Sequence, residues 1–499
     1  MRSAWTSLFL SLACVLPAAA QDLAVNTITQ NDQRFPVIAA DAAGFCVVAW
    51  QSWLSDGSGW GVYARRFDPA AQPTAPERLV NVTAVGSQAV PAVGANASGG
   101  LVIAWLDTNG DDHIFARSFE GDLVPVGGEF QVSQQGTFAS NMGYAPAAAV
   151  NDAGAFLIAW TRDNAGQTTV WARAYDANGS PVAGEFAVDT LASAWQARPA
   201  VVADPAGDFW VAYEKRVDTQ SKTHVFVRRF DALGQAIGAA VQVSNESVAG
   251  DRSSPAIQIG GGGHCLVTWY NAGDSRIYAR RLAPDGTPLG DALLVSPLSA
   301  GTGTTGNRPD VGLDAEGHAL VAWFAENIDG SLRGVCVQRL DPSGSRLGEQ
   351  FVFNQYVTNH QQRPSVSVDA AARVFVVWES YGQDGSGWGV FGRTAVLGEN
   401  RWKLPVSGSW FSAGNWTAGV PVSADRVYVE RDGSYTVTIT GPAAAEAREL
   451  TLLPETGSVV LDLRGSLEVG DSLVVGSQAR IALGPQSSFT LDGPLELHG

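Results

Sequence analysis

The sequence predicts an all-β protein in which a seven-bladed β-propeller is followed by a short β-helix or β-solenoid segment. A proline recurs seven times at intervals of 53 to 56 residues, and an aromatic residue follows each proline fourteen positions later. The prolines lie at positions 36, 91, 146, 199, 255, 309 and 364, and the aromatic residues are Trp50, Trp105, Trp160, Tyr213, Trp269, Trp323 and Trp378. Seven copies of one unit indicate a closed repeat architecture.

Each repeat reads as four short strands. A strand such as PVIAA leads into a turn such as DAAG, whose Asp and Gly suit a tight reversal. A β-branched and aromatic strand follows, then a loop of variable length, a third strand such as VYARRF, a second turn, and a fourth strand such as EFQVS. Helical periodicity is absent, so the repeat is typical of a propeller blade.

The two ends of the repeat region predict how the ring closes. The seventh repeat has three strands and then runs into TAVLGENRW, without a fourth strand. The stretch LAVNT at 23–27 has the pattern of the missing strand, so we expect it to complete blade seven. The predicted domains are therefore a leader at 1–20, a propeller at 21–399 and a C-terminal segment at 400–499.

Residues 1–20 have the pattern of a secretory signal peptide. Arg2 precedes the apolar stretch FLSLACVLP, and Ala18, Ala19 and Ala20 form a small-residue cleavage site. No later stretch is long and apolar enough for a transmembrane helix. The protein is predicted to be secreted or displayed at the cell surface as a monomer.

The charge and the cysteine content argue against a nucleic-acid-binding protein and against a disulfide-stabilised one. The chain carries 32 Lys and Arg against 49 Asp and Glu, a formal net charge of −17, which is unsuited to binding a phosphate backbone. We therefore expect no nucleic-acid partner. Cys14 belongs to the leader, and Cys46 and Cys265 occupy equivalent places in separate blades, too far apart for a disulfide. We expect these two and Cys336 to be small core residues.

The last hundred residues follow a different pattern. SGSWFSAGNWTAGVPVSADRVYVERDGSYTVTIT precedes short strands that are separated by glycines. This pattern resembles the β-helix repeats of bacterial autotransporters and large surface adhesins. The resemblance implies a surface-exposed bacterial protein, and the open end at LELHG is what a truncated solenoid would show.

Five arginines lie one to three residues before the repeat proline, and in the predicted topology they ring the channel mouth on the face of the variable loops. Guanidinium groups there could hold the carboxylates or sulfates of an acidic glycan, or simply pair with neighbouring blades. These arginines are Arg34, Arg198, Arg252, Arg308 and Arg363. Six arginines of the third strands are interpreted as structural, paired across strands with Glu129, Glu185 or Glu349.

Aromatic residues in the variable loops are the second group of candidate ligand contacts. Trp53, Trp60, Trp195 and Trp388 are suited to stacking on sugar rings, or to packing over the blade hairpins. Two of them lie in the stretch DGSGWGV, which occurs at 56–62 and again at 384–390. These copies are the same loop in blades one and seven, so they form either a seam that seals the ring or one composite site.

Calcium is the only cofactor that the sequence suggests. Asp107, Asn109, Asp111 and Asp112 place oxygen ligands of the kind calcium prefers in one hairpin loop. A solvated Asn-Gly turn explains the same residues.

No catalytic motif is present in the sequence, so no catalytic residue is predicted. The prediction is a non-enzymatic recognition or adhesion module that binds a polysaccharide or a cell-surface protein through its variable-loop face. The alternatives are a polysaccharide hydrolase or lyase with its site at the channel mouth, and a structural spacer of a larger adhesin. QRFPVIAADAAGFCVVAW is similar to a stretch of sialidases, but the Asp-box spacing is not met.

Overall fold

The computed structural model describes residues 22–498 except 111, 135–144, 165–166, 190–194, 217–221, 261, 298–306, 424 and 442. The predicted leader therefore lies outside the described residues, and secretion stays a prediction. The described part of the chain contains no helix with the length and apolarity that crossing a membrane needs. Its strands form seven small antiparallel sheets and, after them, two parallel sheets.

The first three blades follow a short N-terminal strand, β1, at Leu23–Ala24. Blade one consists of β2 Gln33–Ala40, β3 Cys46–Trp53, β4 Trp60–Phe67 and β5 Arg78–Leu79. Blade two consists of β6 Gln88–Ala95, β7 Leu101–Asp107, β8 His113–Glu120, β9 Val124–Pro125 and β10 Phe130–Gln131. Blade three consists of β11 Ala147–Val150, β12 Phe156–Asn164, β13 Gln167–Tyr175 and β14 Phe186–Ala187.

The remaining blades repeat this order. Blade four consists of β15 Gln196–Ala203, β16 Phe209–Arg216, β17 Thr223–Phe230 and β18 Ala236–Gln242. Blade five consists of β19 Arg252–Ile259, β20 Cys265–Asn271, β21 Arg276–Leu282 and β22 Pro288–Leu294. Blade six consists of β23 Asp310–Leu313, β24 Ala319–Glu326, β25 Arg333–Leu340 and β26 Arg346–Val352. Blade seven consists of β27 Gln361–Val368, β28 Arg373–Tyr381 and β29 Trp388–Val396.

The N-terminal strand closes the ring as the sequence predicts. β1 pairs antiparallel with β29, with Leu23 opposite Gly392 and Ala24 opposite Phe391. Val25 continues the pairing, since its N–H donates to the Val390 carbonyl at 2.9 Å. The predicted seven-bladed propeller, with its last blade completed by the N-terminus, is confirmed.

The hydrophobic core of the propeller is divided among the seams between blades. Six of seven clusters of buried residues combine side chains from two neighbouring blades, and the seventh combines blades two and three with Phe35 of blade one. The seven repeated aromatic residues lie in these seams and are at most 1% exposed. Cys46, Cys265 and Cys336 are buried with free thiols, and burial raises the pKa of the Cys46 thiol to about 12.

The C-terminal segment is a solenoid of about four turns, as predicted. Its strands are β30 Glu399–Arg401, β31 Gly408–Ser409, β32 Arg426–Val429, β33 Gly433–Ile439, β34 Ala444–Leu452, β35 Gly457–Leu463, β36 Ser466–Gly476, β37 Ala479–Leu483, β38 Ser488–Leu491 and β39 Leu495–His498, with a 3-10 turn at Ala413–Asn415. One parallel sheet has the order β30-β32-β34-β36-β38, with β39 also on β36, and the other has the order β31-β33-β35-β37. A buried ion pair between Arg339 and Asp425 joins this segment to blade six.

Candidate functional site at the mouth of the central channel

The inner strands of the seven blades enclose a central channel of about 570 Å³. Its wall consists mostly of small residues, because the inner strands are rich in Ala, Val, Pro and Ser. One end opens among the turns between the first and second strands of the blades. The other end, which we call the channel mouth, opens where the inner strands begin, beside the variable loops.

A backbone bulge shapes the channel mouth. The residue before the repeat proline has a left-handed backbone in five blades, where pairing between the first and second strands shifts register. These residues are Phe35, Val90, Arg198, Ser254 and Arg363, with φ between 46° and 57°. A non-glycine residue in this conformation is strained, so the surrounding structure must hold it.

The preceding blade holds four of these bulges through one side chain. The residue after the repeat aromatic accepts a hydrogen bond from the N–H of the bulge residue in the next blade. These bonds join Gln51 to Val90 at 2.8 Å, Thr161 to Arg198 at 3.1 Å, Glu214 to Ser254 at 2.6 Å and Glu379 to Phe35 at 3.1 Å. The position is glutamate in blades four and seven alone.

Glu379 organises one side of the mouth. Its side chain is fully buried and accepts bonds from Arg34 at 3.0 Å and Gln362 at 2.7 Å. Arg363 forms a second ion pair with the same carboxylate at 3.3 Å, and its guanidinium lies 4.0 Å from the centre of the Phe35 ring. The two guanidinium groups are therefore fixed in position by a common carboxylate.

Glu214 organises the opposite part of the ring. Its carboxylate is 1% exposed and receives two bonds from one Arg198 nitrogen at 3.0 and 3.1 Å. Burial raises the pKa of the Glu214 carboxyl, although the charges of Arg198 and Arg308 favour the ionised form.

Arg308 lies between these two groups and lines the channel. Burial lowers the pKa of its guanidinium to about 9, with contributions from the like charges of Arg363 and Arg198. The carboxylates of Glu214 and Glu379 oppose this shift. Three arginines are thus close enough to repel one another at the channel mouth.

Asp310 begins the inner strand β23, two residues after Arg308, and also lines the channel. Its carboxyl accepts bonds from the Ser365 hydroxyl at 2.9 Å, the Val366 N–H at 2.8 Å and its neighbour Val311 N–H at 2.9 Å. Burial raises the pKa of the Asp310 carboxyl, because these neutral donors only partly offset the loss of solvent.

Four of the five predicted mouth arginines lie where the sequence places them, and Arg252 does not. Arg252 is buried, and it pairs with Glu246 at 2.7 Å while donating to the carbonyls of Glu246, Val248 and Gly250. Because Arg252 lies three residues before its proline, the alternation of side chains along the strand directs its guanidinium group towards the connection between blades four and five.

The arginines of the third strands are structural, but their predicted glutamate partners are wrong. Each donates from Nη1 to a backbone carbonyl in the fourth strand of the neighbouring blade, or just beyond it. The pairs are Arg65 with Val25, Arg117 with Val80, Arg173 with Val132, Arg228 with Val188, Arg280 with Val243 and Arg393 with Phe353, at 2.8 to 3.1 Å. Glu129 instead accepts from the Val82 and Thr83 N–H groups.

The two DGSGWGV loops lie on consecutive seams rather than in one composite site. The Trp60 N–H donates to Ser87 at the entry to blade two, and the Trp388 N–H donates to Asp32 at the entry to blade one. Trp388 also lies 4.5 Å from the Arg34 guanidinium. A variant of the stretch, DGSLRGV at 329–335, occupies the same position in blade six, with Arg333 in place of the tryptophan.

The other aromatic candidates lie at the rim of the variable-loop face. Trp53 is 37% exposed, and its ring packs edge-on against Trp60 at 5.1 Å. Trp195 stacks with Arg216, whose guanidinium lies 4.9 Å from the ring centre. Ligand binding by these residues stays a prediction.

Only part of the predicted calcium site lies within the described residues. Asp111 lies outside the described residues, and Asp107 is buried, with its carboxylate accepting bonds from the Gln88 side chain and the Asn109 N–H. A different set of residues can offer ligand atoms to a metal ion: Asp314, Glu316 and His318, whose atoms lie within 4.8 Å of one another. Calcium itself stays a prediction.

Sequence reasoning missed the three carboxyl groups of the mouth: Glu214, Glu379 and Asp310. A signal for two of them was available, because glutamate follows the repeat aromatic in two blades and that position faces the start of the next inner strand. Asp310 carried a weaker signal, as an acid in a strand position that is otherwise small and uncharged.

No known protein family matches the sequence, and no curated protein matches it. Among solved structures, the chain is similar to a protein of unknown function from Dyadobacter fermentans, with 11% identity and a TM-score of 0.48, over 75% of this chain and 97% of that one. It is also similar to puromycin hydrolase, with 14% identity and a TM-score of 0.44, over 76% and 56%. A third is an α-L-arabinanase from Penicillium chrysogenum, with 12% identity and a TM-score of 0.43, over 76% and 98%.

These similarities concern the propeller fold alone, and they correct one prediction. The chain was predicted not to be an enzyme, because its sequence contains no catalytic motif. Solved propellers similar to it include hydrolases of glycans and of puromycin, and this finding contradicts the non-enzymatic prediction.

Proposed function

We propose that the protein is a polysaccharide hydrolase whose active site is the channel mouth. The observation that carries this proposal is Asp310, a partly buried carboxyl group with a raised pKa, which lines the same channel as Arg198, Arg308 and Arg363. Carboxyl groups with shifted pKa values in a cleft are typical of acid–base chemistry.

The surroundings of Asp310 and Glu214 suit different roles. Burial outweighs the hydrogen-bond donors around Asp310 and raises its pKa, which suits a carboxyl that keeps its proton and donates it to the glycosidic oxygen as the bond to the anomeric carbon breaks. Glu214 lies beside Arg198 but does not line the channel, so it holds this arginine in position, and the proton of the water that attacks the anomeric carbon passes to solvent. Glu379 contacts no channel space and serves as a positioning residue for Arg34 and Arg363.

The experiment is an assay of purified protein against a panel of neutral and acidic polysaccharides. Asp310→Asn keeps a hydrogen-bond acceptor for Ser365 but has no proton to donate, so we expect at least ~100-fold loss of reducing-end release. Activity of the natural protein is expected to fall as the pH rises through the pKa of Asp310, because the proton donor is then lost. The pH profile and the rate of the variant are the measurements.

Asp152→Asn is the matched control. Asp152 lines the same channel near its opposite end, where its carboxylate accepts from the Ala97 N–H at 3.1 Å. This variant should keep full activity and an unchanged melting temperature. Equal activity of the natural protein and Asp310→Asn would contradict the proposal, and products with an ultraviolet-absorbing double bond would show a lyase instead.

A further inference from the structure

We propose that the channel mouth binds one carboxylate of an acidic sugar, between Arg198, Arg308 and Arg363. This inference names the substrate class of the proposed hydrolase, a polysaccharide that contains uronic acid residues. It rests on the proposed function only in calling the sugar a substrate, since binding of the sugar can be measured without any turnover.

The balance of charge at the mouth favours an anion. The seven groups that meet there are four guanidinium groups and three carboxyl groups, so the set is positive by one charge when all are ionised. Protonation of a carboxyl group would increase this excess. The groups are Arg34, Arg198, Arg308, Arg363, Glu214, Glu379 and Asp310. The whole chain is formally −17, so this excess is opposite in sign to the rest of the molecule.

The arginines are held in fixed positions before any ligand arrives. Arg363 is held by Glu379 and by the Phe35 ring, and Arg198 is held by the buried carboxylate of Glu214. Their side chains nevertheless remain 27% and 31% exposed. Guanidinium groups that are already oriented lose little conformational entropy when they bind a ligand.

The position of the cluster points to the size and shape of the anion. Arg198, Arg308 and Arg363 line the same channel, whose remaining wall there is formed by prolines, small side chains and Phe35. One planar carboxylate matches the paired donors of a guanidinium group and is opposite in charge to this positive excess. A sugar ring bound through this carboxylate then lies at the channel mouth.

The experiment is titration calorimetry of the intact chain at low ionic strength with D-glucuronate, D-glucose and sodium sulfate as separate probes. D-glucuronate is expected to bind with one site per chain, whereas D-glucose shows no heat of binding. Arg308→Gln is expected to weaken D-glucuronate binding ~10- to 100-fold, the loss of a charge-assisted contact. Arg308→Lys should retain part of the affinity, because it keeps the charge but not the paired donors.

Arg346→Gln is the matched control, because it removes the same charge from an exposed position on the outer strand β26. It should bind D-glucuronate as the natural chain does. If Arg308→Gln does not fold, the salt dependence of the natural chain replaces it, and affinity must fall as salt rises. Binding of sulfate without D-glucuronate, equal binding of glucose, or no binding of either anion would each overturn the inference.

Failure of this inference and failure of the proposed function give different results. Asp310→Asn removes the proton donor but leaves the three arginines, so it should still bind D-glucuronate. D-glucuronate binding without hydrolysis of any polysaccharide would contradict the function and leave the anion site in place. Hydrolysis of neutral polysaccharides without D-glucuronate binding would contradict the anion site and leave the proposed function in place.

Discussion

At the scale of the residue, arginine has three roles that depend on its register in the blade. Immediately before the repeat proline, the bulged backbone directs Arg198 and Arg363 to the channel. Two residues earlier, Arg252 fastens a connecting loop instead. On the third strand, Arg228 reaches across the seam to a backbone carbonyl. One residue type therefore serves the proposed binding site, the anchoring of a loop and the assembly of the ring.

A third-strand arginine should contribute measurably to stability. Arg228→Gln shortens the side chain and removes the 2.8 Å bond to the Val188 carbonyl, which is then left without this donor. We expect the free energy of unfolding to fall by ~1–3 kcal/mol, the range for a charged hydrogen bond. Urea unfolding is the measurement. Arg346→Gln should change stability by less than ~0.5 kcal/mol, and an equal change in both variants would contradict a role at the seam.

At the scale of the element, the loop between the second and third strands fastens its blade to the next one, and we call this loop the clip. In blades one, six and seven the loop Asp accepts from the Ser N–H two residues later. The paired positions at the base of these loops are Trp53 with Trp60, Tyr381 with Trp388, and Glu326 with Arg333. Blade six thus replaces an aromatic pair by an ion pair at 3.6 Å.

The clip of blade seven should stabilise closure of the ring. Trp388→Ala removes ring contacts with Tyr381 at 5.3 Å and with the guanidinium of Arg34 at 4.5 Å. We expect a loss of ~2–4 kcal/mol in the free energy of unfolding, because the tryptophan is partly buried in the seam. Trp53→Ala, at a 37% exposed position, should cost less. Unchanged stability with loss of polysaccharide binding would make Trp388 a ligand contact instead.

The sequence was sufficient for the fold because the fold repeats. Seven prolines and seven aromatic residues keep one register, so the blade count and its closure by residues 23–27 follow from spacing. The candidate site does not repeat: Glu214 and Glu379 occur in two blades, and Asp310 in one. The direction of Arg252 depends on a bulge next to Pro255 that appears only once the strands are paired. Such differences between blades are set by tertiary contacts, which spacing does not reveal.

At the scale of the whole molecule, a few residues at the N-terminus hold the ring together. Asp22 accepts bonds from the Gln355 and Tyr356 N–H groups, and the fully buried Val25 packs in the seam of blades seven and one. Asn26 accepts from the Val390 N–H at 2.7 Å. Without these contacts, the edge of β29 would be left unpaired.

Deletion of residues 22–27 should therefore open the propeller. We expect faster hydrogen exchange in blades seven and one than in blades three and four, together with self-association through the exposed edge of β29. Hydrogen exchange by mass spectrometry and light scattering are the measurements. A truncated chain that stays monomeric, with uniform exchange, would contradict the role of β1 in closure.

The pairing of β1 with β29 also sets an order of events in time. Leu23 emerges from the ribosome 369 residues before its partner Gly392. At a synthesis rate of ~5–20 residues per second, β29 is completed roughly 20 to 70 seconds after β1, and β1 cannot pair before then. Blades one to six can form as they emerge, but the ring is finished only after the last blade is made. During that interval the ring is incomplete and its terminal strands lack their partners, so the chain needs protection by a chaperone most at this stage.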